Sequence, residues 1–499
     1  MNYPPQPGQV ERTKFNKMRS YIVFLLVGLS ALFSCKEEIE RPPNIVVILC
    51  DDLGYGDLSS FGHPKIQTPN LDELAAKGMK LTNFYSAAPV CSPSRVGLMT
   101  GRSPNRAGIY DFIIGGNNPR QNNRDIVHMQ ANEETIPARL KSVGYATCLS
   151  GKWHCNSHFN NTEKQPTPDQ FGFDHWFATH NNAAPSHENP NNFVRNGEEV
   201  GEIEGFSCQI VVNEAMDWLG KQKKDQPFYL QVTFHEPHVP IASPPELVAK
   251  YLPYAQNENE AQYFANVENV DLAVGKLVEY LEKNGHDNTL IVFSSDNGPE
   301  TLLRYSKAIH SYGTTEGLKG RKLWTTEGGF KVPGIVYWMG QPTFNGETDA
   351  VVSALDLMPT FCELAGADLP QRELDGQSLT NFLKTGRMTR EKPLLWVFYN
   401  ALNDQVVAMR DGDWKLMARL KYDTAYLPKI TNVYVGNIDS VRNAELVDFE
   451  LYNLAADENE WINLSADRPE KLAKMKATLA TEYQALLADS HVWVRSETQ

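Results

Sequence analysis

Uninterrupted apolar runs alternate with amphipathic stretches over most of the chain. The first run, Asn44 to Cys50, is rich in β-branched residues and follows two prolines. Such a run is typical of a strand that is buried on both faces of a parallel sheet. The same pattern predicts strands at 145–149, 228–234, 289–294 and 334–338, and helices at 71–77, 134–143, 210–221, 266–283 and 354–364. Strands that alternate with helices predict an α/β fold with a large, mostly parallel central sheet flanked by helices.

The pattern changes after about residue 385, where the apolar runs become short and follow one another without helices. Strands are predicted at 394–399, 405–410, 414–420 and 450–452, and a closing helix at about 469–488. We therefore predict a larger domain over 44–385 and a smaller C-terminal subdomain over 386–499, which consists of an antiparallel sheet and one helix. Two polar stretches, 115–132 and 175–196, are too long for plain connections, and we expect them to shape a cleft.

The N-terminus has the layout of an export signal. Three cations among residues 14–19 precede the apolar stretch 21–33, which is short for a membrane-spanning helix. The stretch runs into Leu-Phe-Ser-Cys, which resembles a bacterial lipobox with Cys35 as the lipidated residue. We predict a signal peptide with a lipobox over 1–35, a tether over 36–43, and lipid anchoring in the bacterial cell envelope, at the outer membrane. An uncleaved signal anchor, or cleavage at another position, is the alternative.

The formal net charge of −14 excludes the broad basic surface of a nucleic-acid-binding protein. An anionic substrate would gain no long-range attraction from such a chain, so it would require a local cluster of cations or a metal ion. The seven cysteines have the spacing of neither a disulfide framework nor a zinc site. Cys50 and Cys148 lie in apolar runs, where we expect buried thiols.

Oxygen-bearing side chains closely follow two of the predicted strands. Asp51 and Asp52 come after the first strand, and Asp296 and Asn297 come after the strand at 289–294. Ligands bind at the carboxyl ends of the strands in open α/β sheets, so the four side chains could surround one ion. A set of oxygen ligands without histidine or cysteine favours calcium, with magnesium as the alternative. Taken singly, each pair is also compatible with a turn that ends its strand.

A short segment around Cys91 carries the most specific signal. The segment begins at Cys91 with CSPSR, and TGR follows at 100–102. This pattern resembles the motif of the type I sulfatases, in which the cysteine is oxidised to formylglycine (3-oxoalanine). The resemblance implies an aldehyde that hydrates to a gem-diol, of which one hydroxyl attacks sulfur and the other later expels sulfate. Arg95, one helical turn away, would stabilise the diol. The alternative is a structural thiol at a helix N-terminus.

The resemblance to the type I sulfatases extends to other motifs, which occur in the family's order. It implies a calcium site made by both strand ends and the modified cysteine: Asp51, Asp52, Cys91, Asp296 and Asn297. Gly-Lys-Trp-His at 151–154 matches a family motif in which Lys152 contacts sulfate and His154 holds the diol and assists its collapse.

Two further motifs supply a general acid and a second lysine. HEPHVP begins at His235, and its histidines are three residues apart among prolines, which excludes the helical zinc site of a metalloprotease. Its Pro-His-x-Pro part resembles the family loop whose histidine contacts sulfate and the leaving oxygen, which makes His238 the general acid. The family has a catalytic lysine five residues before the glutamate of TTEGG, and that position is Lys322. A shifted alignment would assign this role to Lys319.

The resemblance covers roughly residues 43–490 and implies a secreted sulfuric ester hydrolase with the alkaline-phosphatase-like fold, whose catalytic domain is the predicted 44–385. Lys152, His238 and Lys322 would bind the sulfate group of a sulfated polysaccharide or oligosaccharide. The expected partners are this substrate, a formylglycine-generating or anaerobic sulfatase-maturating enzyme, and the membrane that holds the lipid anchor. Two alternatives stay open: a phosphodiesterase or phosphonate monoester hydrolase of the same superfamily, and a non-catalytic polysaccharide-binding lipoprotein.

Overall fold

The first strand, β1 (Asn44–Asp51), is buried along almost its whole length and lies in the middle of a large sheet. Its side chains alternate between two separate apolar cores, one of which contains Ile45 and the other Val46. Because each face of the strand enters a core, every residue of the run is apolar and the period-two alternation disappears. The uninterrupted run in the sequence is therefore explained by burial on both faces.

The computed structural model describes residue 1 and residues 41–114, 126–159, 165–341 and 343–494. The fold described below is that of the unit that begins at Pro43. The predicted signal peptide, the lipidation site Cys35 and most of the predicted tether lie outside the described residues. Among the described helices, none combines the length and the apolar character that crossing a membrane requires.

Ten further strands join β1 in the large sheet of the described part. They are β2 (Met79–Tyr85), β3 (Ala146–Lys152), β4 (His175–Thr179), β5 (Val194–Arg195), β6 (Glu198–Glu199), β7 (Phe228–Pro237), β8 (Thr289–Ser295), β9 (Lys331–Trp338), β10 (Gly346–Thr348) and β11 (Val352–Ser353). The order is β10-β2-β9-β8-β1-β7-β3-β4-β5-β6, and β11 pairs with β2. Strands β8, β1, β7, β3 and β4 run parallel to one another, so their carboxyl ends meet at one edge. Strand β9 runs antiparallel to both β8 and β2.

Helices cover both faces of this sheet. In the described residues the helices are α1 (Pro69–Lys77), α2 (Cys91–Thr100), α3 (Ile136–Ser142), α4 (Ser207–Leu219), α5 (Pro245–Tyr251), α6 (Glu258–Lys283), α7 (Glu327–Phe330), α8 (Leu357–Ala365), α9 (Thr380–Thr385), α10 (Ile438–Arg442) and α11 (Pro469–Asp489). Helix α6 contributes to the core of Val46, whereas α2 and α8 contribute to the core of Ile45. The predicted α/β fold with a mostly parallel, helix-flanked sheet is confirmed.

A second, antiparallel sheet follows in the chain. It is formed by β12 (Leu394–Val397), β13 (Val407–Asp411), β14 (Trp414–Tyr422), β15 (Ala425–Tyr426) and β16 (Glu445–Asn453). Gly412 adopts a positive φ of 60° in the turn between β13 and β14. Helix α11 packs against β14, which confirms the smaller sheet with one packed helix. The domain boundary at 385/386 stays a prediction, since the first strand of this sheet begins at Leu394.

Two sequence-based predictions of secondary structure are wrong in part. The stretch 175–196 was predicted to be a polar loop, but its first five residues form β4, in which residues 176–178 are buried. Their apolar run is short and is flanked by histidines and asparagines, so the sequence does not show the alternation that predicts a strand. Helix α6 begins at Glu258 instead of residue 266, because the Asn257 side chain caps it by accepting from the Glu260 N–H.

Six cysteines lie in the described part of the chain, and all of them are buried and unpaired with another cysteine. Cys50 lies on β1 and Cys148 on β3, both within the apolar core, as the sequence predicts. Burial raises the pKa of each of these two thiols well above its usual range. They are therefore inert packing residues.

Candidate active site

The carboxyl ends of β1 and β8 meet at the edge of the large sheet. Asp51 ends β1, and Asp296 directly follows β8. The Asp296 N–H donates to the Cys50 carbonyl oxygen over 3.0 Å, and the Asp52 N–H donates to Asp296 Oδ1 over 3.3 Å. Asn297 donates from Nδ2 to Asp52 Oδ1 over 2.6 Å. The structure thus brings together the four side chains that the sequence predicts as cation ligands, and each is at most 3% exposed.

The chemistry of these four side chains fits a hard cation. Asp51 Oδ1 and Asn297 Oδ1 are buried without a hydrogen-bond partner. A buried oxygen costs free energy unless a donor or a cation satisfies its lone pairs. Asp52 has a positive φ of 64°, a strained conformation that is common at functional sites. Calcium is therefore compatible with this donor set, in which Asp51, Asp52, Asp296 and Asn297 would hold it.

The three carboxyl groups at the strand ends differ in acidity. Burial raises the pKa of Asp52 to about 6 and that of Asp296 to about 7. Burial also opposes the charge of Asp51, but nearby cations led by Lys152 outweigh it and hold the pKa of Asp51 well below its usual range. Asp51 is therefore the carboxylate that stays ionised over the widest range of pH.

Two buried lysines contact the same carboxylates. Lys152 donates from Nζ to Asp51 Oδ2 over 2.5 Å, and Lys322 donates from Nζ to Asp52 Oδ2 over 2.8 Å. Lys152 is 1% exposed and Lys322 is 4% exposed. Lys319 instead donates from Nζ to a backbone carbonyl 141 residues later in the chain, over 3.1 Å. The geometry therefore places Lys322, and not Lys319, beside the candidate cation ligands.

Gly151 allows β3 to deliver Lys152 into this site. Its φ is 116°, and a Cβ atom at this position would lie 1.8 Å from the Thr233 carbonyl oxygen. Only glycine fits both requirements. The backbone conformation and the close approach of Thr233 thus explain the glycine of the Gly-Lys-Trp-His motif.

Cys91 is the first residue of α2, and it is 3% exposed. Burial raises the pKa of its thiol to about 11, although Lys152 and Lys322 act in the opposite direction. Leu323 and Phe398 belong to the apolar cluster around it. The thiol is neutral near pH 7, so unmodified Cys91 is a poor nucleophile. A nucleophile at this position would require a change in its chemistry.

Arg95 joins α2 to the strand ends. Its Nε donates to Asp296 Oδ2 over 2.9 Å, and its NH1 donates to the Lys152 carbonyl oxygen over 3.0 Å. The guanidinium is 1% exposed, and Asp296 raises its pKa against the effect of burial. These contacts show Arg95 on the carboxylates of the site, while its predicted contact with a diol at Cys91 stays a prediction.

His154 offers a buried acceptor. Its Nε2 lies 2.9 Å from the Ile113 carbonyl oxygen, whereas Nδ1 is buried without a partner. Burial and the neighbouring Lys152 hold the pKa of His154 well below its usual range, so the ring is neutral. The proton must lie on Nε2 to bind the carbonyl, which leaves Nδ1 as an acceptor for a hydroxyl group. This arrangement fits the predicted role of His154 in holding a diol.

The two histidines of the HEPHVP segment have different surroundings. His238 Nε2 lies 3.6 Å from Asp52 Oδ2, and the donor atoms of Asp51, Asp52 and His238 lie within 4.8 Å of one another. Burial lowers the pKa of His238 to about 3, so a general acid here would take up its proton when an anionic ester binds beside it. His235 is paired through Nε2 with Thr179 Oγ1 over 2.8 Å. His235 is therefore held by the last residue of β4.

Asn182 is a site residue that the sequence analysis did not select. Lys152 donates from Nζ to Asn182 Oδ1 over 3.0 Å, and Asn182 donates from Nδ2 to the Val239 carbonyl oxygen over 3.1 Å. It therefore ties Lys152 to the loop of His238. The stretch 175–196 was expected to shape a cleft, but it contains several asparagines, and nothing in their spacing distinguishes this one.

Residues 43–367 match the family model described as Sulfatase, which covers more than half of the chain. The chain belongs to the sulfatase family. Human N-acetylgalactosamine-6-sulfatase is 30% identical over 482 residues, which cover 90% of this chain and 87% of that protein. Human arylsulfatase A is 32% identical over 427 residues, which cover 80% of this chain and 77% of that protein.

A solved structure shares the fold of this chain over most of its length. The structure described as Ps i-CgsB in complex with k-i-k-neocarrahexaose is 28% identical, with a TM-score of 0.72. The alignment covers 92% of this chain and 96% of that chain. The family match and the two sulfatase relatives together show that the protein is a sulfuric ester hydrolase.

Proposed function

We propose that this sulfatase removes sulfate from a sulfated carbohydrate, with a nucleophile made by oxidation of Cys91 and with calcium at the strand ends. The observation that carries the proposal is the convergence of three buried cations, Lys152, Lys322 and Arg95, on the carboxylates at the ends of β1 and β8. Arg95 lies one turn after Cys91 on α2. One buried point of the sheet edge thus combines a modifiable side chain, two ammonium groups and a set of hard oxygen ligands.

Each side chain of the site has a separate role in the proposed reaction. A maturation enzyme supplies the oxidant that converts Cys91 to formylglycine, whose hydrate offers one hydroxyl for attack on sulfur and a second for release of sulfate. His154, with its free Nδ1, holds this hydrate. Lys152 and Lys322 bind the sulfuryl oxygens, and His238 donates a proton to the leaving sugar oxygen. A bound calcium ion supplies further positive charge for the sulfuryl oxygens.

The names of two similar proteins support a carbohydrate substrate. One relative is named for N-acetylgalactosamine 6-sulfate, and one solved structure contains a neocarrahexaose. The first name and the second ligand both refer to sugars, and both proteins align with most of this chain. We therefore infer a sulfated polysaccharide or its oligosaccharides as the substrate class.

The substrate proposal is tested with a panel of sulfated oligosaccharides that differ in the sugar and in the position of the sulfate. We expect free sulfate, measured by ion chromatography, from a restricted subset of the panel. A matched aryl sulfate and aryl phosphodiester serve as the chemical control, and the sulfate should react faster by at least about tenfold. Release from aryl sulfates alone, with every sugar left intact, would contradict the carbohydrate assignment.

We further propose that the protein is exported and anchored by a lipid on Cys35, at the outer membrane of a bacterial cell envelope. The support is the order of cations, apolar stretch and Leu-Phe-Ser-Cys at the N-terminus. A lipid-modified cysteine anchors a protein without a spanning helix.

Replacement of Cys35 by alanine should release the protein from the membrane. In a bacterium with an outer membrane, we expect the wild-type protein in the membrane fraction, from which detergent releases it. We expect Cys35→Ala in the aqueous fraction. The matched control is Cys362→Ala, which removes a buried thiol and should leave the distribution unchanged. Membrane retention of Cys35→Ala would show that another segment holds the protein.

A further inference from the structure

A buried ionic cluster connects the second sheet to the candidate active site. We call it the Glu327 cluster: Glu327, Lys415, Glu460, Tyr85 and Arg410. Lys415, on β14, places Nζ 2.9 Å from Glu327 Oε1 and 2.7 Å from Glu460 Oε1. These three residues are at most 1% exposed.

The remaining oxygens of the cluster are also bound. Tyr85 donates from its hydroxyl to Glu327 Oε2 over 2.6 Å, and the Glu327 N–H donates to Glu460 Oε2 over 2.7 Å. Lys415 Nζ lies 4.4 Å from the centre of the Phe330 ring. Burial of two carboxylates and an ammonium group rarely stabilises a fold more than apolar packing of the same volume would. The cluster therefore calls for an explanation other than stability.

The first link from the cluster to the site runs through α7. Glu327 is the first residue of α7, and Gly329 in the same helix accepts at its carbonyl oxygen from the Gly298 N–H over 2.9 Å. Gly298 directly follows the cation-ligand candidate Asn297. A Cβ atom on Gly298 would lie 1.9 Å from the Gly328 carbonyl oxygen, so α7 packs directly on this backbone. A shift of α7 must therefore shift the backbone that carries Asn297.

The second link runs through the loop before α7. The Lys319 carbonyl oxygen accepts from the Gly328 N–H over 2.8 Å, and the Lys319 Nζ donates to the Glu460 carbonyl oxygen over 3.1 Å. Three residues later, the Lys322 N–H donates to the Pro299 carbonyl oxygen over 3.1 Å. The loop that carries Lys322 is thus attached through Lys319 to Gly328, which directly follows Glu327, and to the backbone of Glu460.

We propose that Lys415 is a positioning residue for sulfate ester hydrolysis. It holds Glu327 and Glu460 together, and through them it fixes the loop of Lys322 and the backbone of Asn297. Lys415 itself acts only through these residues. The proposal rests on the roles proposed above for Lys322 and Asn297, and it gives the second sheet a part in the reaction.

The test is the substitution Lys415→Met, measured with 4-nitrophenyl sulfate or with the sugar sulfate that the wild-type enzyme hydrolyses fastest. Methionine keeps much of the volume and removes the charge. We expect kcat to fall by about tenfold to a hundredfold, since small displacements of groups that act on the transition state reduce kcat strongly. KM should change by less than about threefold, because Lys152 and His238, which also contact the sulfate group, are not attached to the Glu327 cluster.

Two further variants separate positioning from loss of stability. Arg106→Met is the matched control: Arg106 is also a buried cation, but it pairs with Asp375 and Asp489, which lie outside the Glu327 cluster. We expect this variant to keep kcat within about threefold of the wild type. Glu460→Gln keeps an acceptor for the Glu327 N–H and loses the charge. It should reproduce the loss of kcat in milder form, and it decides the question if Lys415→Met does not fold.

Two results would overturn the proposal. One is a Lys415→Met or Glu460→Gln enzyme whose melting temperature falls while its kcat stays within about twofold of the wild type. The other is an equal loss of kcat in Lys415→Met and Arg106→Met, which would indicate a general loss of rigidity. Failure of the wild-type enzyme on every sugar, with activity on the aryl sulfate, would count against the carbohydrate proposal only.

Discussion

Replacement of Cys91 by alanine should abolish turnover. Alanine lacks the Cβ–S bond that a maturation enzyme breaks as it oxidises Cβ to an aldehyde, so neither the aldehyde nor its hydrate can form. The loss of a nucleophile is expected to lower kcat by on the order of 10⁴-fold or more. Sulfate release by the Cys91→Ala enzyme, followed with a sulfated sugar by ion chromatography, should not rise above the rate without enzyme.

The fold should survive this substitution. Cys91 lies in a small apolar cluster, where the loss of one sulfur atom costs about 1 to 2 kcal/mol of unfolding free energy. The matched control, Cys362→Ala, removes a buried thiol from α8 and should keep full activity. Substantial turnover by Cys91→Ala would rule out Cys91 as the nucleophile.

Cys91→Ser separates the two hydroxyl groups that the mechanism needs. A serine hydroxyl can accept the sulfuryl group, but it lacks the second hydroxyl whose collapse expels sulfate. We therefore expect at most one sulfuryl group transferred per enzyme molecule, visible by mass spectrometry as a sulfated peptide that contains residue 91. Repeated turnover by a Cys91→Ser enzyme whose residue 91 is an unmodified serine by mass spectrometry would show that release does not depend on a diol.

The strand ends could be predicted from the sequence because each pair of ligands is attached to an apolar run. A parallel sheet brings the carboxyl ends of its strands to one edge, so Asp51 and Asp296 had to come close once β1 and β8 were neighbours. The neighbour relation itself is not visible in the sequence. It arises from pairing between residues that are distant in the chain: Ile45 pairs with Tyr229 on β7, and Asn44 pairs with Thr289 on β8.

Other features depend on contacts that no local pattern encodes. The contact of Arg95 with a diol at Cys91 stays a prediction, whereas its contact with Asp296, 201 residues further along the chain, could not be predicted from the sequence. Asn182 joins Lys152 to the loop of His238, but it lies in a polar stretch whose sequence does not distinguish it from the neighbouring asparagines. The Glu327 cluster is the extreme case, since its members come from both sheets. A sequence of TTEGG identifies Glu327 but not its partner Lys415.

Removal of calcium should inactivate the enzyme while leaving it folded. Treatment with a chelator is expected to abolish sulfate release, because Asp51, Asp52, Asp296 and Asn297 present oxygen atoms that suit a hard divalent cation. Added calcium should restore the activity. Recovery with zinc alone would contradict the assignment, and it would draw attention to His238, the nitrogen donor within reach of the same carboxylates.

The fold should tolerate chelation because the three carboxylates also have cationic partners. Lys152 contacts Asp51, Lys322 contacts Asp52, and Arg95 contacts Asp296. Three carboxylates thus face three cationic side chains, so chelation leaves no excess of like charge in the site. We expect the melting temperature to fall by only a few degrees, about 1 to 2 kcal/mol in stability at this chain length.

The affinity for calcium should also depend on pH. The pKa of Asp296 is raised to about 7 and that of Asp52 to about 6, so these groups gain protons as the pH falls through 7 and 6. A carboxyl group must lose its proton to coordinate a cation, so protons and calcium compete for the same oxygens. Calcium titrations at pH 5 to 8, followed by recovery of activity and by the melting temperature, should show the dissociation constant rising as the pH falls below 7. A dissociation constant that is independent of pH would place the cation on other ligands.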